Sequence, residues 1–289
     1  MIFGGFRLHD VFTRFRKNNH HQNLFLTICC IVKDENEYLK EWMEYHLTIG
    51  VQHFYIYDND SKVPVSKALE NFKLQQFATV IKVYGKARQV PAYNDCLIRN
   101  RNNSQWIAFI DVDEFIVPKS TKGDLRTFLR DFEGYAGLAI NWLVFGSSGH
   151  IKRTNRSQLK SFLLRSEQSF HVNRHVKVIV QTKFVKRSVG AHLFQFIEPY
   201  FAVNEFGKEI KTSYSSVSVE KIQINHYYCR SLEEYQEKVN RGAADTSKGK
   251  REINNFHQHD LEANKIEDRT ILDFLNSHRS ELNHYRAKI

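Results

Sequence analysis

One pattern constrains the fold more than any other feature: an apolar run that ends at a polar turn and is followed by a helical segment. Leu24–Val32 is almost continuously apolar, as expected for a strand of a parallel sheet that is covered on both faces. Asp34 and Glu37 then have the spacing of a capping box, and apolar residues recur at helical spacing until Gly50. This stretch therefore predicts a strand, a loop and a helix.

The same pattern continues along the first 118 residues. Further strands are predicted over 51–57, 79–83 and 105–110, and helices over 66–77 and 92–101. Strands that alternate with helices predict an α/β fold, in which a mostly parallel sheet is flanked by helices and the ligand lies at the carboxyl ends of the strands. Later predicted strands are shorter, and later helices are predicted over 124–132, 232–240 and 261–276.

The chain has 289 residues, of which 42% are hydrophobic, so it has ample material for a core. Its 4 prolines and 13 glycines leave little room for a disordered linker. We predict one domain over 24–242, with an N-terminal extension over 1–23 and a C-terminal helical extension over 243–289. The regular alternation of strands and helices ends near residue 118, which divides the domain into two halves, 24–118 and 119–242.

The charge of the chain favours an anionic partner. Its 42 Lys and Arg residues exceed its 32 Asp and Glu residues, which gives a formal net charge of +10. Nucleic acid, anionic lipid head groups and a phosphorylated substrate all fit such a charge. The basic residues are spread along the chain instead of forming one block, so we expect no nucleic-acid partner.

Hydropathy and cysteine usage predict a cytoplasmic protein. No stretch reaches the ~18 apolar residues of a membrane span, and the N-terminus lacks the features of a signal peptide. The 4 cysteines have no metal-binding spacing and are expected to be reduced. Residues 1–17 combine apolar and basic side chains, and as a helix they would contact an anionic membrane peripherally. Alternatively, this extension packs on the domain.

Asp111 and Asp113 directly follow the fourth predicted strand. Alternate residues of an extended segment project to the same side, so the two carboxylates are expected to face one cleft. They repel each other there unless a cation lies between them, and their oxygens suit Mg²⁺ or Mn²⁺, which in turn binds a diphosphate. The alternative is a plain polar turn. An EF-hand is excluded, because Phe115 and Ile116 occupy positions that need a ligand and a glycine.

Several blocks extend this pattern along the chain: residues 31–37, 54–61, 92–94, 106–118, 141–150, 175–177 and 224–228. In this order they resemble glycosyltransferase family 92 and its bacterial relatives among the family 2-like enzymes of the GT-A fold. The resemblance covers residues 26–242, and ordered blocks are more specific than one Asp-x-Asp motif. It implies a GT-A fold, with a nucleotide-sugar half over 24–118 and an acceptor half over 119–242.

The resemblance also implies a metal site. Asp111, Asp113 and His226 would hold Mn²⁺ or Mg²⁺, and Asp111 would also engage the ribose and diphosphate of the donor. The alternative for His226 is an ordinary core or surface histidine.

A nucleotide-sugar donor, with UDP as the expected nucleotide, is implied as well. The residues expected to bind it are Lys33, Asp34, Glu35, Asp58, Asp60, Arg88, Asp111 and Lys177. Simpler alternatives stay open: helix capping for Asp34, a solvated loop for Arg88 and a half-exposed strand for Lys177. The family more often has Asn at position 34, and this difference affects hydrogen bonding to the base.

In the acceptor half, the resemblance implies an aromatic and glycine-rich wall against the acceptor saccharide. Its residues are Trp142, Gly146, Ser147, Ser148 and His150. Trp142 alternatively belongs to the core. An inverting transferase also needs a general base for the acceptor hydroxyl, for which the candidates are Glu114, Glu167 and Glu198. The cluster at 257–260 is read as the polar start of a helix instead of a second metal site.

Together these features predict a metal-dependent, inverting hexosyltransferase that uses a nucleotide sugar. Its expected acceptor is a glycan or lipid-linked saccharide, and the basic charge fits an anionic one such as a lipopolysaccharide core. One alternative is a non-catalytic carbohydrate- or nucleic-acid-binding protein on the same fold. Another is a nuclease that uses the same pair of carboxylates.

Overall fold

The computed structural model describes residues 24–119, 123–242 and 252–277. Its strands are β1 (Leu24–Val32), β2 (His53–Asn59), β3 (Ala78–Val83), β4 (Ser104–Phe109), β5 (Glu114–Pro118), β6 (Gly137–Val144), β7 (Leu164–Arg165), β8 (Val176–Gln181), β9 (Val185–Ser188), β10 (Phe194–Phe196), β11 (Ala202–Val203), β12 (Ile222–His226) and β13 (Ile266–Glu267). Its α-helices are α1 (Asn36–Thr48), α2 (Val65–Phe72), α3 (Gln89–Asn100), α4 (Leu125–Arg130), α5 (Gln158–Ser161), α6 (Leu232–Arg241), α7 (Ile253–Ala263) and α8 (Thr270–Ser277).

The main sheet has the strand order β3-β2-β1-β4-β8-β6-β12-β5, and β11 also pairs with β6. Strands β3, β2, β1 and β4 are parallel, as are β6 and β12, whereas β8 and β5 run antiparallel to their neighbours. The predicted α/β fold with a mostly parallel sheet flanked by helices is therefore confirmed. From β1 the chain proceeds to β2 and β3 on one side and places β4 on the other, so a ligand crevice is expected where β1 and β4 end.

The two faces of the sheet explain why β1 is apolar throughout. Ile28 and Cys30 belong to one buried cluster, which includes Trp42 of α1, while Cys29 belongs to a second, which includes Tyr93 of α3. Successive residues of a strand point to opposite faces, so a strand covered on both sides needs apolar residues at every position. Complete burial of each large side chain contributes about 1.5–3 kcal/mol.

His46 lies inside this core as a neutral imidazole. Its Nδ1 donates a hydrogen bond to the Trp42 carbonyl at 2.8 Å, and its Nε2 accepts one from the Ile116 backbone N–H at 3.4 Å. Burial lowers the pKa of His46 to about 3. Protonation would place a second N–H at Nε2, facing the Ile116 N–H, and would remove the hydrogen bond. The packing of α1 against β5 therefore requires the neutral form of His46.

The predicted helix over 261–276 is wrong. Helix α7 ends at Ala263, β13 pairs with β7, and α8 begins only at Thr270. Asp268 lies just before α8, where its carboxylate accepts from the Thr270 backbone N–H at 3.0 Å and from Arg165 at 2.7 Å. A side chain that bonds to a backbone N–H two residues later competes with helical pairing.

The described C-terminal residues contact the 119–242 half directly. Asp260 of α7 accepts from the backbone and the hydroxyl of Ser147 at 2.6 and 2.9 Å. The boundary at residue 242 stays a prediction. The predicted extension over 1–23, with its membrane contact, and the segments 243–251 and 278–289 lie outside the described residues.

Two further expectations concern the compartment. Within the described ranges, none of the helices combines the length and apolarity that crossing a bilayer requires. Cys29, Cys30, Cys96 and Cys229 are buried free thiols.

Candidate active site

A cavity of about 400 Å³ lies at the carboxyl ends of β1 and β4, where the strand order predicts a ligand crevice. We call it the main cavity. Side chains on the β1–β4 side are Lys33, Glu35, Asn59, Lys86, Gln89, Asp111 and Asp113. Side chains on the opposite side are Trp142, His175, His192, His226, Tyr228, Lys238, Arg241 and His259.

Asp111 and Asp113 lie in a turn and not in an extended strand. The Glu114 backbone N–H donates to the Asp111 carbonyl at 3.0 Å, which closes the turn. Both aspartates nevertheless line the main cavity, as expected for the pair. The convergence thus results from the turn, not from strand alternation.

Asp111 is fixed through both of its carboxylate oxygens. Lys177 of β8 donates to Oδ2 at 2.8 Å, and Gln89, the first residue of α3, donates to Oδ1 at 2.9 Å. Burial lowers the pKa of Lys177, but the carboxylates of Asp111 and Glu114 outweigh this effect and raise it overall. Lys177, which was predicted to bind the donor, therefore contacts Asp111 in this structure.

Asp113 is buried and pairs with a cation from the other wall. The Lys238 ammonium of α6 donates to Oδ2 at 2.5 Å, and Nε2 of His226 lies 3.7 Å from the same oxygen. Burial alone raises the pKa of Asp113, but Lys238 and His226 outweigh it and hold the pKa well below its usual range. Asp113 is therefore ionised, and it lies close to both Lys238 and His226 of the opposite wall.

His226 ends β12, which returns to the sheet between β6 and β5. Burial lowers the pKa of His226 in spite of the Asp113 carboxylate, so the imidazole is neutral, the form that binds metals. Its Nδ1 is buried without a hydrogen-bond partner among the described residues. The predicted trio of Asp111, Asp113 and His226 therefore meets at one cavity, although the aspartates are far from His226 in the sequence.

A complete protein-only metal site is not formed. Within the described residues, no three His, Cys, Asp or Glu side chains come together closely enough to hold an ion. Mg²⁺ usually binds through one or two carboxylates together with water and substrate phosphates, so the donor set of Asp111, Asp113 and His226 fits Mg²⁺ or Mn²⁺ bound jointly with a diphosphate. The Lys238 ammonium supplies a positive charge at Asp113 in this structure.

The residues predicted around the nucleoside divide into two groups. Lys33 and Glu35 line the main cavity. The Glu35 carboxylate also binds Arg241 of the opposite wall at 2.5 Å, and Arg230 at 3.4 Å.

The other predicted nucleoside residues have structural roles or face outward. Asp58 is buried and accepts from the backbone N–H groups of Ser61 and Val65, at 3.0 and 3.1 Å, which shapes the loop before α2. Asp60 is exposed. Neither aspartate lines the main cavity, where Asn59 between them provides the contact, and their role at a nucleoside stays a prediction.

Asp34 and Arg88 also differ from expectation. The Asp34 side chain accepts from the Lys62 backbone N–H at 2.8 Å, and helix α1 has Glu35 at its N-cap without a side-chain cap. The predicted capping box is therefore wrong, and Asp34 instead joins two loops. Arg88 is exposed and donates to the Tyr84 carbonyl at 2.5 Å, while the neighbouring Gln89 lines the cavity.

Of the predicted acceptor wall, Trp142 lines the main cavity. Its ring centroid is 4.8 Å from that of His175, 5.1 Å from that of His192 and 4.3 Å from that of His226. Each of the first two imidazoles bonds through Nδ1 to a backbone carbonyl at 2.9 Å, so a neutral ring keeps its proton there and leaves Nε2 as an acceptor. Burial lowers the pKa of His192 to about 3.

The remaining residues of the predicted wall make contacts with other parts of the chain. The hydroxyl of Ser148 accepts from two backbone N–H groups, at 2.9 and 3.0 Å, and His150 Nε2 bonds to the Ser161 carbonyl at 3.1 Å. A Cβ at Gly146 would lie 2.3 Å from Asn264 Oδ1, so this glycine permits close approach of α7. Together with the Ser147–Asp260 bonds, these contacts give the four residues structural roles, and their role toward an acceptor stays a prediction.

The three predicted general bases lie in different environments. Glu114 is fully buried, and its Oε2 accepts from the Asp111 backbone N–H at 2.9 Å, while burial raises its pKa well above the usual range. Glu198 is exposed on a loop. Glu167 is exposed too and lines a groove that adjoins the main cavity at His259.

Sequence reasoning missed Lys238 and Arg241, which lie three residues apart on α6 and both line the main cavity. A capping box of Ser231 and Glu234 fixes the start of this helix. The spacing that places both cations on one helical face is visible in the sequence. Which cavity that face meets depends on the tertiary fold.

The fold and the cavity define an α/β protein whose switch-point crevice carries paired carboxylates opposed by cations. A family model for glycosyltransferase family 92 matches residues 25–273, which is most of the chain. The chain belongs to this family.

Curated relatives agree with the family match. A glycosyltransferase family 92 protein of Ricinus communis is 25% identical over 203 residues, covering 66% of this chain and 34% of the relative. One from Oryza sativa subsp. japonica is 28% identical over 104 residues, covering 36% of this chain and 18% of the relative. The chain thus spans about a third or less of the length of these relatives.

Solved structures show weaker similarity. HddC from Yersinia pseudotuberculosis is 11% identical with a TM-score of 0.37, covering 63% of this chain and 90% of that chain. A mycobacterial protein is 12% identical with a TM-score of 0.35, covering 73% and 70%.

Proposed function

We propose that this chain is a metal-dependent glycosyltransferase that moves a hexose from a nucleotide sugar, with UDP as the nucleotide, to a saccharide acceptor. One observation carries the proposal: Asp111 and Asp113 line the switch-point cavity opposite Lys238 and Arg241. Carboxylates suited to a divalent cation, faced by cations suited to a diphosphate, match the charges of a metal-bound nucleotide sugar.

Asp111, Asp113 and His226 would hold Mn²⁺ or Mg²⁺. When bound, the ion supplies Lewis-acid stabilisation of the charge that develops on the departing diphosphate. Lys177 and Gln89 keep the two oxygens of Asp111 oriented, so this carboxylate needs little reorganisation on binding.

The nucleoside would lie along the ends of β1 to β3, where Lys33, Asn59, Lys86 and Gln89 line the cavity. Amide groups both donate and accept, which suits a base and a ribose. Lys86 is exposed at the cavity and offers a positive charge to the diphosphate.

The transferred sugar and the accepting hydroxyl would meet near Trp142 and the two acceptor nitrogens of His175 and His192. Imidazole nitrogens accept hydrogen bonds from sugar hydroxyls. Inverting chemistry requires a base for the acceptor. Glu114, Glu167 and Glu198 stay the candidates for this role, and none of the three lines the main cavity.

Screening nucleotide sugars for hydrolysis tests the proposal. The protein is expected to hydrolyse one UDP-sugar in the presence of Mn²⁺ and to lose this activity with a chelator or in Asp113→Ala. A wild-type protein that hydrolyses no nucleotide sugar, or an Asp113→Ala variant with full donor turnover, would contradict it. A cytoplasmic location with peripheral membrane contact remains part of the proposal for the whole protein.

A further inference from the structure

A second groove, of about 590 Å³, lies between the loop at 167–171 and helix α7. We call it the acidic groove and define it by Glu167, Phe170, His171, Gln258, His259 and Glu262. His259 lines both this groove and the main cavity, so the two adjoin at that side chain.

A row of aromatic rings runs from the main cavity into the acidic groove. Tyr228 lines the main cavity, and its ring centroid lies 4.6 Å from that of His259. The ring centroid of Phe170, within the groove, lies 6.0 Å from that of His259, and the two rings are nearly perpendicular at 83°. Aromatic rings in a row offer successive platforms to a chain of sugar rings, because each ring presents an apolar face beside polar neighbours.

The polar groups of the groove suit hydroxyl groups. The Glu167 and Glu262 carboxylates accept hydrogen bonds, and the Gln258 amide both donates and accepts. The His259 ring is neutral, because burial lowers its pKa and its Nδ1 donates to the Asn255 carbonyl at 2.7 Å. Aromatic surface combined with a few polar groups is the usual composition of a small-ligand site.

The charge of the groove is opposite to that of the chain. Among the described residues that line it, two are carboxylates and none is Lys or Arg. Lys265 bonds to Glu262 at 2.5 Å from outside the lining, and the formal sum of these three charges is still negative. Like charges in contact are unfavourable, so the groove disfavours a phosphorylated or carboxylated sugar.

Resting on the proposed function, we propose that the acidic groove is an acceptor subsite that binds an uncharged sugar unit, next to the unit that receives the transferred hexose. The net charge of +10 then serves the donor diphosphate and not an anionic acceptor. Phe170 is the stacking platform, and Glu167 and Gln258 bind hydroxyls.

Glycan binding tests this subsite without using transfer activity. The full chain would be applied to an array of uncharged oligosaccharides and their phosphorylated counterparts. The wild type is expected to retain uncharged oligosaccharides, and Phe170→Ala to weaken this binding ~10-fold, as expected for the loss of one stacked ring. The matched control is Phe206→Ala, which removes an exposed ring beside Lys221. It is expected to bind like the wild type.

Three results would overturn the subsite: wild-type preference for phosphorylated glycans, no binding of any uncharged glycan, or equal binding by Phe170→Ala and Phe206→Ala. Calorimetry with UDP and Mn²⁺ separates this proposal from the proposed function. All three proteins are expected to bind UDP equally, because neither ring lines the main cavity. If the wild type does not bind UDP, the donor assignment is refuted. The glycan result still decides the subsite in that case.

Discussion

Replacement of Lys238 by methionine tests how the Lys238 ammonium balances the Asp113 carboxylate at the proposed metal site. The Lys238 ammonium and the Asp113 carboxylate are both buried, at 5% exposure each, with 2.5 Å between the bonded atoms. Lys238→Met keeps most of the side-chain volume and removes the charge. Burial lowers the pKa of His226 and the Lys238 charge lowers it further, so the variant raises this pKa without placing a fixed cation at Asp113. The variant therefore leaves a buried carboxylate facing the cavity.

Removing one partner of a buried ion pair destabilises a protein by about 3–5 kcal/mol. For a chain of this size, each kcal/mol lowers the melting temperature by about 2–4 °C, so the expected fall is roughly 6–20 °C in the presence of a chelator. Mn²⁺ without nucleotide is expected to stabilise Lys238→Met more than the wild type, because the free carboxylate gains a ligand that the ammonium otherwise opposes.

Thermal denaturation with chelator and with Mn²⁺ measures both effects, and the electron paramagnetic resonance signal of free Mn²⁺ gives its affinity. Lys86→Gln is the matched control, since it removes one exposed positive charge from the same cavity. The double variant Asp113→Asn with Lys238→Met should regain most of the lost stability, because neither charge remains. A Lys238→Met protein that melts like the wild type and gains no Mn²⁺ affinity would refute the reasoning.

Three further outcomes are expected. Asp113→Ala should lower Mn²⁺-dependent donor hydrolysis by about 10²-fold or more, the range for loss of one group that stabilises developing charge; steady-state kinetics would show a near-normal rate if this is wrong. Gly146→Ala should destabilise the fold by about 1–3 kcal/mol, because its Cβ meets Asn264 Oδ1 at 2.3 Å; urea unfolding with unchanged UDP affinity is the check, and an unaltered midpoint would contradict the packing argument. The folded pKa of His46 lies near 3, below its unfolded value, so the unfolded chain binds more protons below pH ~6.5 and stability should fall by about 2 kcal/mol between pH 6.5 and 5 from this group alone. A His46→Gln variant, unfolded in urea at both pH values, should show a smaller loss, and an identical loss would count against the assignment.

Much of the structure of residues 24–118 was predictable from the sequence. Buried parallel strands need apolar residues on both faces, and this requirement made β1, β2 and β4 visible as apolar runs. The carboxyl ends of these strands share one edge of the sheet, so the position of Asp111 and Asp113 at a cavity followed from the order of the elements.

The roles of individual acidic residues were not predictable in the same way. Asp58 and Asp111 both follow an apolar strand, yet Asp58 accepts loop N–H groups and Asp111 lines the cavity. The difference depends on the path of each loop, which the local sequence pattern does not describe. The Lys238–Asp113 pair joins positions 125 residues apart, so only the tertiary fold brings it together.

Residues 119–242 were the harder part for a related reason. Gly146, Ser147 and Ser148 have the composition of a ligand-binding loop, but a loop that packs against a helix needs the same small and polar residues. Helix α7, which occupies these groups, lies more than a hundred residues later in the chain. The groove beside Phe170 likewise requires that helix to be in place.

Calorimetric titration of the full chain with UDP tests the central claim most directly. With Mn²⁺ present, we expect UDP to bind, and we expect a chelator or Asp113→Ala to abolish this binding, because the two carboxylates reach the diphosphate only through the ion. Binding of UDP with equal affinity in Mn²⁺ and in chelator, or no binding under either condition, would contradict a metal-dependent nucleotide-sugar site at Asp111 and Asp113.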